Sequence, residues 1–278
     1  MTKPLVSIII PCYNNWENIE EAVDSALAQD YPNTEIIIID DGSNDKTKAI
    51  LQKIEPKISK LITQENKGAS KARNVGIAQA SGKYILPLDS DDYFECSFCS
   101  KAIEIIENDE KIKLVTCYIR RFGKNIQDFI LKYPDSELKD FLKYNHAIGN
   151  SLFRKTECEK VGGYDEKMKK GYEDWEFFIR LLSNGGKSIC IKEQLFHYRL
   201  RESSNTATAN RNKYDLLKYI YLKHKDLYVR HYELLIDHNL ERLKFVENSE
   251  KRIYKKPEYR IGEYILWPIR GIRKIFTF

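Results

Sequence analysis

Residues 86–94 read LPLDSDDYF, three carboxylates (Asp89, Asp91 and Asp92) within four residues directly after the apolar run YILPL. The run has the composition of a strand buried on both faces. Like charges crowded at its end repel one another unless a cation or a set of donors offsets them. The same arrangement recurs upstream. LVSIII (5–10) runs into PCYNN, and EIIIID (35–40) runs into DDGSND.

Between these runs lie segments with helical spacing. NWENIEEAVDSALAQ (15–29) places Ile19, Val23, Ala26 and Leu27 on one face, with Asn15 as a natural N-cap and Pro32 beyond the end. KTKAILQKI and ASKARNVGIAQA read as helices, KLIT as a short strand, and Ser43 or Asp45 as a cap after the Gly42 turn. Strand and helix alternating with short connections predict a parallel sheet covered on both faces. Ligands of such sheets bind beyond the carboxyl ends of the strands. Neither a G-x-G-x-x-G turn nor a G-x-x-x-x-G-K-[ST] loop follows the first strand, so a nucleotide would be held in another way. Past residue 95 the alternation loosens. Residues 97–107 read as helix, 112–120 as strand and 140–200 as mixed, where the end of GGYDEKMKKGYEDWEFFIRLLSNG has Trp175, Phe178, Ile179 and Leu182 at helical spacing and Gly185 as a stop. Helical periodicity then runs over 210–247.

Four blocks, VSIIIPCYNN, IIIIDDGSND, ENKGASKARNVGIAQASGKYILPLDSDD and GYEDWEFFIRL, stand in the order and spacing of family 2 glycosyltransferases, and over roughly residues 4–205 the chain resembles that family. The resemblance implies an α/β chain with the GT-A fold, a Rossmann-like, mostly parallel sheet flanked by helices. Residues 1–94 would be its nucleotide-sugar-binding half, 95–205 its acceptor-binding and catalytic half, and 206–278 a helical C-terminal extension. It also implies inverting transfer from a nucleotide diphosphate sugar, a UDP-sugar by expectation, to a glycan or lipid-linked glycan acceptor. By the same resemblance Asp91 is the ligand of Mn²⁺ or Mg²⁺, with Asp89 and Ser90 facing the ribose and the metal's outer shell. Hard cations take carboxylate oxygens and leave room for phosphate and water. Asp41 corresponds to the residue that accepts the base N3–H, Pro11 and Tyr13 to the floor and wall for the base, and Lys67 and Arg73 to cations at the nucleotide. Asp174 corresponds to the general base and Glu173 to its support.

Each reading has a plainer counterpart. Asp92 reads as a cap for the helix that follows, Asn14 as a turn former, Asp40 as structural, and Lys71 as a solvated helix face. Glu173 and Asp174 alone would be acids in a first helical turn, favoured by the macrodipole. The chain also departs from the family pattern. Many relatives carry Arg-x-His after this helix, whereas HYRLRESSNT puts Arg201 where the His would stand. Arginine does not ligate cations, so Arg201 would clamp phosphate or metal dependence would be weakened. His197 reads as packed beside a strand, and His224, His231 and His238, seven apart, as one helix face.

The net charge is +5, and residues 251–278 alone carry eight Lys/Arg against two Glu, which leaves about −1 for the rest. A basic body for nucleic acid is therefore not expected. The tail KRIYKKPEYRIGEYILWPIRGIRKIFTF combines its cations with Ile265, Trp267, Ile269, Ile272 and Phe276, which suits an anionic membrane surface. No secretory signal or spanning segment is legible, and six irregularly spaced cysteines read as reduced thiols, which gives a cytoplasmic expectation, peripheral to the inner membrane face. Cys96-x-x-Cys99 lacks a second pair at zinc spacing. Two rival functions remain open. A sugar nucleotidyltransferase would need a Gly-rich loop that PCYNN does not provide, and a catalytically impaired binding or scaffolding relative would need to have lost use of Asp91 or Asp174.

Overall fold

The β-branched runs, too apolar for a half-exposed sheet, become its centre. In a computed structural model that describes residues 3–124, 127–200 and 205–265, the first half runs β1 (Val6–Cys12), α1 (Ile19–Leu27), β2 (Thr34–Asp40), α2 (Asp45–Ile54), β3 (Lys60–Thr63), α3 (Ala69–Gln79) and β4 (Tyr84–Pro87). The order β3-β2-β1-β4 is parallel throughout, in a register that sets Cys12 opposite Asp40 and Ile9 opposite Pro87. The carboxyl ends of β1, β2 and β4 therefore finish along one edge, where their acidic and polar continuations meet.

The second half continues with β5 (Tyr93–Phe94), α4 (Phe98–Asn108), β6 (Ile112–Phe122), β7 (Phe129–Leu131), β8 (Ser136–Glu137), α5 (Leu138–Phe141), β9 (Leu152–Arg154), α6 (Lys155–Val161), α7 (Glu173–Leu182) and β10 (Lys187–Arg199). β9 enters antiparallel between β4 and β6, and β6 pairs in parallel with β10. The parallel expectation thus describes the first half, while β9 makes the whole sheet mixed.

Both faces are covered. Ile8, Ile10 and Ile38 pack with Val23, Leu51 and Phe98 in one buried cluster. Ile9 and Ile39 turn to the other face, under α3. A Cβ on Gly76 would come within 2.4 Å of Ile9 Cγ2 and 3.3 Å of Ile39 Cγ1, so glycine lets α3 lie flush on the sheet. Each fully buried aliphatic side chain contributes about 1.5–3 kcal/mol.

Several local expectations are corrected. α1 begins at Ile19, so Asn15 is not its cap; the Asn15 amide donates to Ser90 Oγ (2.9 Å) and accepts from Asn18 (3.0 Å), tying the end of β1 to the turn after β4. Leu27 is exposed, and Ala22 takes the buried position. α2 is capped by Asn44, which accepts from Thr47 N–H (3.0 Å), because Ser43 is buried and accepts from the Asn14 N–H instead. Asp92 caps no helix: it accepts the Arg199 N–H at 2.7 Å, and β5 intervenes before α4.

The C-terminal periodicity is not one helix. α8 (Asn205–Arg211), α9 (Lys213–Lys223), α10 (Lys225–Arg230) and α11 (Tyr232–Lys255) follow one another, with His224 closing α9 and His231 opening α11. The three histidines therefore share no helix face. The chain forms one compact unit through Leu227 and a second from Tyr228, and α11 in the second has no buried residue. No helix among the described residues is long and apolar enough to cross a membrane. The tail residues Trp267, Ile269, Ile272 and Phe276 lie outside the described residues, as does Arg201.

Candidate active site

A cavity of about 580 Å³ opens at the carboxyl edge of the parallel strands. Pro11 near the end of β1 and Tyr13 just past it, Asp41 after β2, Lys67 just before α3 and Arg73 near its start, and Asp89, Ser90 and Asp91 after β4 line it together with Glu173. Eight of these nine came from the first 94 residues, from four segments that only the sheet order brings together. Tyr13 keeps 53% of its surface exposed, as a ring waiting to stack would.

Asp41 is buried and fully engaged. Its Oδ1 accepts from Gln64 Nε2 (2.6 Å) and Lys67 N–H (2.9 Å), and its Oδ2 from Gly68 N–H (2.8 Å). It thereby fastens the 64–68 turn that forms one wall. Asp40, beside it, accepts the Ser43 N–H (2.9 Å), the structural role expected of it.

Arg73 is the hub of the site. Its guanidinium is 5% exposed, donates from Nη2 to Asp89 (2.6 Å) and from Nη1 to Glu173 (2.8 Å), and lies 5.5 Å from the Tyr164 ring. Sequence reading aimed it at the nucleotide; in the fold its fork joins the acid after β4 to the acid opening α7, which stands 100 residues from Arg73 itself. Burial opposes its charge, but Asp89 and Glu173 outweigh that and raise its pKa further. Its Nε is buried with no hydrogen-bond partner among the described residues.

The carboxylates of DSDD therefore separate. Asp89 is paired with Arg73. Burial, reinforced by Asp91 and Asp89, pushes Asp92 well above the usual carboxylate range, although its carboxyl accepts the Arg199 N–H. Asp91 lines the same cavity, at the position that the family resemblance gives to the ligand of a hard cation. Among the described residues no three His, Cys, Asp or Glu side chains gather into a closed metal site. The donor set fits a Mg²⁺ or Mn²⁺ held by Asp91 with most of its coordination left to diphosphate and water.

α7 delivers the other acids. Tyr172, its N-cap, sits in the left-handed region (φ 62°), as does Asn14 (φ 52°) after β1. These are the described non-glycine residues with positive φ, and each stands next in sequence to residues that line the cavity, Tyr13 and Asn15 for one and Gly171 and Glu173 for the other; such strain gathers at functional sites. Glu173 lines the cavity, whereas Asp174 does not. Asp174 Oδ1 accepts from its neighbour's Trp175 N–H (2.7 Å) and Oδ2 from Asn145 Nδ2 (3.1 Å). Burial first, then the adjacent Glu173 charge, raises Asp174 from 3.8 to about 7. A carboxylate poised near neutrality is suited to proton transfer.

Sequence reading missed Arg199, which lines the cavity, donates from Nε to the Asp91 carbonyl (2.9 Å), pairs with Glu21 and packs over Phe122 (4.7 Å). The Arg-x-His comparison drew attention two residues further on. It also missed Asn15, Asn145 and the wall built by Glu166, Met168 and Lys169; no motif marks these. His197 is packed as expected, stacked on Tyr93 (4.3 Å) and bonded to Glu95 (2.7 Å). Cys12 reaches the lining, but burial pushes its thiol up to about 12, which makes it a poor nucleophile. The six cysteines are free, with Cys99 buried and Cys96 exposed.

Residues 7–162 match the family described as Glycosyl transferase family 2, and residues 132–225 match the family described as N-terminal domain of galactosyltransferase. The chain belongs to glycosyltransferase family 2. It is 32% identical over 235 residues, 83% of this chain and 91% of the relative, to TuaG of Bacillus subtilis (strain 168), named for teichuronic acid biosynthesis. It is 35% identical over 208 residues, 73% of this chain and 80% of the relative, to the Escherichia coli UDP-Glc:alpha-D-GlcNAc-diphosphoundecaprenol beta-1,3-glucosyltransferase WfaP. Among solved structures it resembles S. aureus TarS 1–349 in complex with UDP-GlcNAc, with a TM-score of 0.65, 22% identity, and coverage of 78% of this chain and 65% of that one. The chain thus spans just under two thirds of that solved structure, and the likeness establishes the GT-A fold of this glycosyltransferase.

Proposed function

We propose that this glycosyltransferase moves a sugar, with inversion, from a UDP-sugar to a glycan or lipid-linked glycan acceptor, with Asp174 as general base. The observation that carries the reading is the convergence at one strand edge of a nucleotide-sized cavity and the Glu173–Asp174 pair, with the Asp174 carboxyl near neutrality. Relatives support the donor: WfaP is named for UDP-Glc and a diphosphoundecaprenol-linked acceptor, and TarS 1–349 has been solved with UDP-GlcNAc.

In this reading Tyr13 and Pro11 hold the base, Asp41 shapes its wall through the 64–68 turn, and Ser90 and Asp89 face the ribose. Lys67 and Arg199 lie at the diphosphate, with Arg201 as a further clamp. A Mg²⁺ or Mn²⁺ bound by Asp91 would offset the charge that develops on the departing diphosphate. Asp174 takes the proton of the acceptor hydroxyl as that oxygen forms its bond to the anomeric carbon. The bond from that carbon to the diphosphate oxygen breaks, and its electron pair leaves with UDP. Because Asp174 lies outside the cavity lining and against Asn145, the acceptor approaches from the 143–150 loop, across Glu173 from the donor. The enzyme works in the cytoplasm, at the inner membrane face when the acceptor is lipid-linked.

The test is a panel of UDP-, dTDP- and GDP-sugars with Mn²⁺, read by nucleotide release and by the anomeric configuration of any product. Inverted product from a UDP-sugar supports the reading. Retained configuration, or turnover confined to another nucleotide, refutes it.

A further inference from the structure

The segment between α5 and β9 carries no sequence motif, yet it builds the wall against which the candidate base rests. α5 is closed by a reciprocal capping box between Glu137 and Asp140, and the turn after it is held by Tyr144 N–H donating to Asp140 O (3.0 Å). The Trp175 indole N–H donates to Phe141 O (2.6 Å), which docks the first turn of α7 on α5. His146 Nδ1 lies 2.9 Å from Ser136 Oγ, which fixes the middle of the loop to β8.

Within that frame Asn145 is oriented from both ends of its amide. Its Oδ1 accepts the Ala147 N–H (3.4 Å), so its Nδ2 is left to donate, and it donates to Asp174 Oδ2 (3.1 Å). Four residues on, a Cβ at Gly149 would stand 3.4 Å from Asp174 Cβ and 3.6 Å from Oδ2. The loop backbone at Gly149 thus packs close beside the acid.

We infer that Asn145 is a positioning residue for the transfer reaction, fixing the Asp174 carboxylate in one orientation through its side-chain amide. The inference rests on Asp174 being the base. Trp175 N–H holds Oδ1 and Asn145 holds Oδ2, so each oxygen keeps a lone pair toward the acceptor and the plane of the carboxylate is set. The amide also favours the charged form of the acid, since it donates only to that side chain's oxygen. The charged and titratable groups facing Asp174 are Glu173 on its own helix, Arg73 from α3, and Tyr133, Tyr164 and Tyr172. Asn145 is the neutral side chain among them that donates to the carboxylate.

The experiment measures UDP release from UDP-glucose and UDP-GlcNAc across pH 5–9 for the parent, Asn145→Ala, Asn145→Gln, Asp174→Asn and the double variant Asn145→Ala/Asp174→Asn. Asn145→Ala should lower kcat about tenfold with the donor KM unchanged, because a freed carboxylate samples unproductive orientations. The midpoint of its acidic limb should rise by about one pH unit, the size expected for losing one hydrogen bond to a charged group. Asn145→Gln should recover part of both effects, and Asn145→Ala should have no effect in the Asp174→Asn background. A kcat loss with the acidic limb unmoved, or equal losses in both backgrounds, overturns the positioning role. Parental turnover by Asp174→Asn overturns the base assignment itself, a separate outcome.

Discussion

Glu176 is fully buried one turn after Glu173, and its replacement tests how α7 is held. Its carboxylate accepts from Arg180 Nε (2.8 Å) and Nη2 (2.7 Å), His224 Nε2 (2.8 Å) and Lys223 Nζ (2.7 Å). Lys223 also reaches Asp165 (2.6 Å), so α9 is bolted both to α7 and to the loop that walls the cavity. Burial opposes the charge of Glu176, but His224, Arg180 and Lys223 outweigh it and lower its pKa from 4.5 to about 2. That lowering corresponds to about 3 kcal/mol of stability at pH 7 and about 2 kcal/mol at pH 3.5. Because the folded-state value is depressed, the contribution is complete above the unfolded value of about 4.5 and is lost as pH falls through about 2. Glu176→Gln removes it and leaves the Arg180 and Lys223 cations facing a neutral amide, for which about 3–5 kcal/mol is the usual loss. In a unit of this size each kcal/mol moves Tm by about 2–4 °C, so Tm should fall by roughly 6–20 °C at pH 7. Thermal unfolding followed by circular dichroism at pH 7 and pH 3.5 measures it, and the gap between parent and variant should narrow at the lower pH. A Tm within about 2 °C of the parent, or a gap that does not narrow, would show that the buried cluster is not what holds α7.

Asp91→Ala should abolish Mn²⁺-dependent UDP binding in calorimetric titration while leaving Tm unchanged; equal metal-dependent affinity in variant and parent would remove Asp91 as the ligand. Asp174→Asn should lower transfer about 10²–10⁴-fold with donor affinity nearly constant, and parental transfer should decline as pH drops below about 7, where Asp174 takes up its proton; transfer within a fewfold of the parent would shift the role to Glu173. Deleting residues 257–278 should release the protein from anionic vesicles in flotation assays without loss of UDP binding, and binding of the full chain should weaken with salt over a Debye length of roughly 8 Å. Indifference of the full chain to anionic lipid would refute the membrane role of the tail.

By itself the sequence determined the alternation of β1 to β4 with α1 to α3, because β-branched runs bounded by turn residues have few other places to go. It also determined which strand ends would carry acids, and so where a cavity would lie, and its four blocks identified the family. The alternating pattern could not carry β9. Three residues of strand give no periodic signal, and their antiparallel insertion between β4 and β6 is decided by pairing at long range. Nor could it divide the labour within DSDD. Three neighbouring acids look alike in a string of letters, but burial raises the pKa of Asp92, Arg73 pairs with Asp89, and Asp91 lines the cavity beside them. Arg73 and Glu173, Asn145 and Asp174, and Glu176 and His224 stand 100, 29 and 48 positions apart. Such pairs leave no mark on local spacing, because a hydrogen bond depends on positions that the folded sheet and its helices assign together, long after each segment's own preference for helix or strand has been expressed.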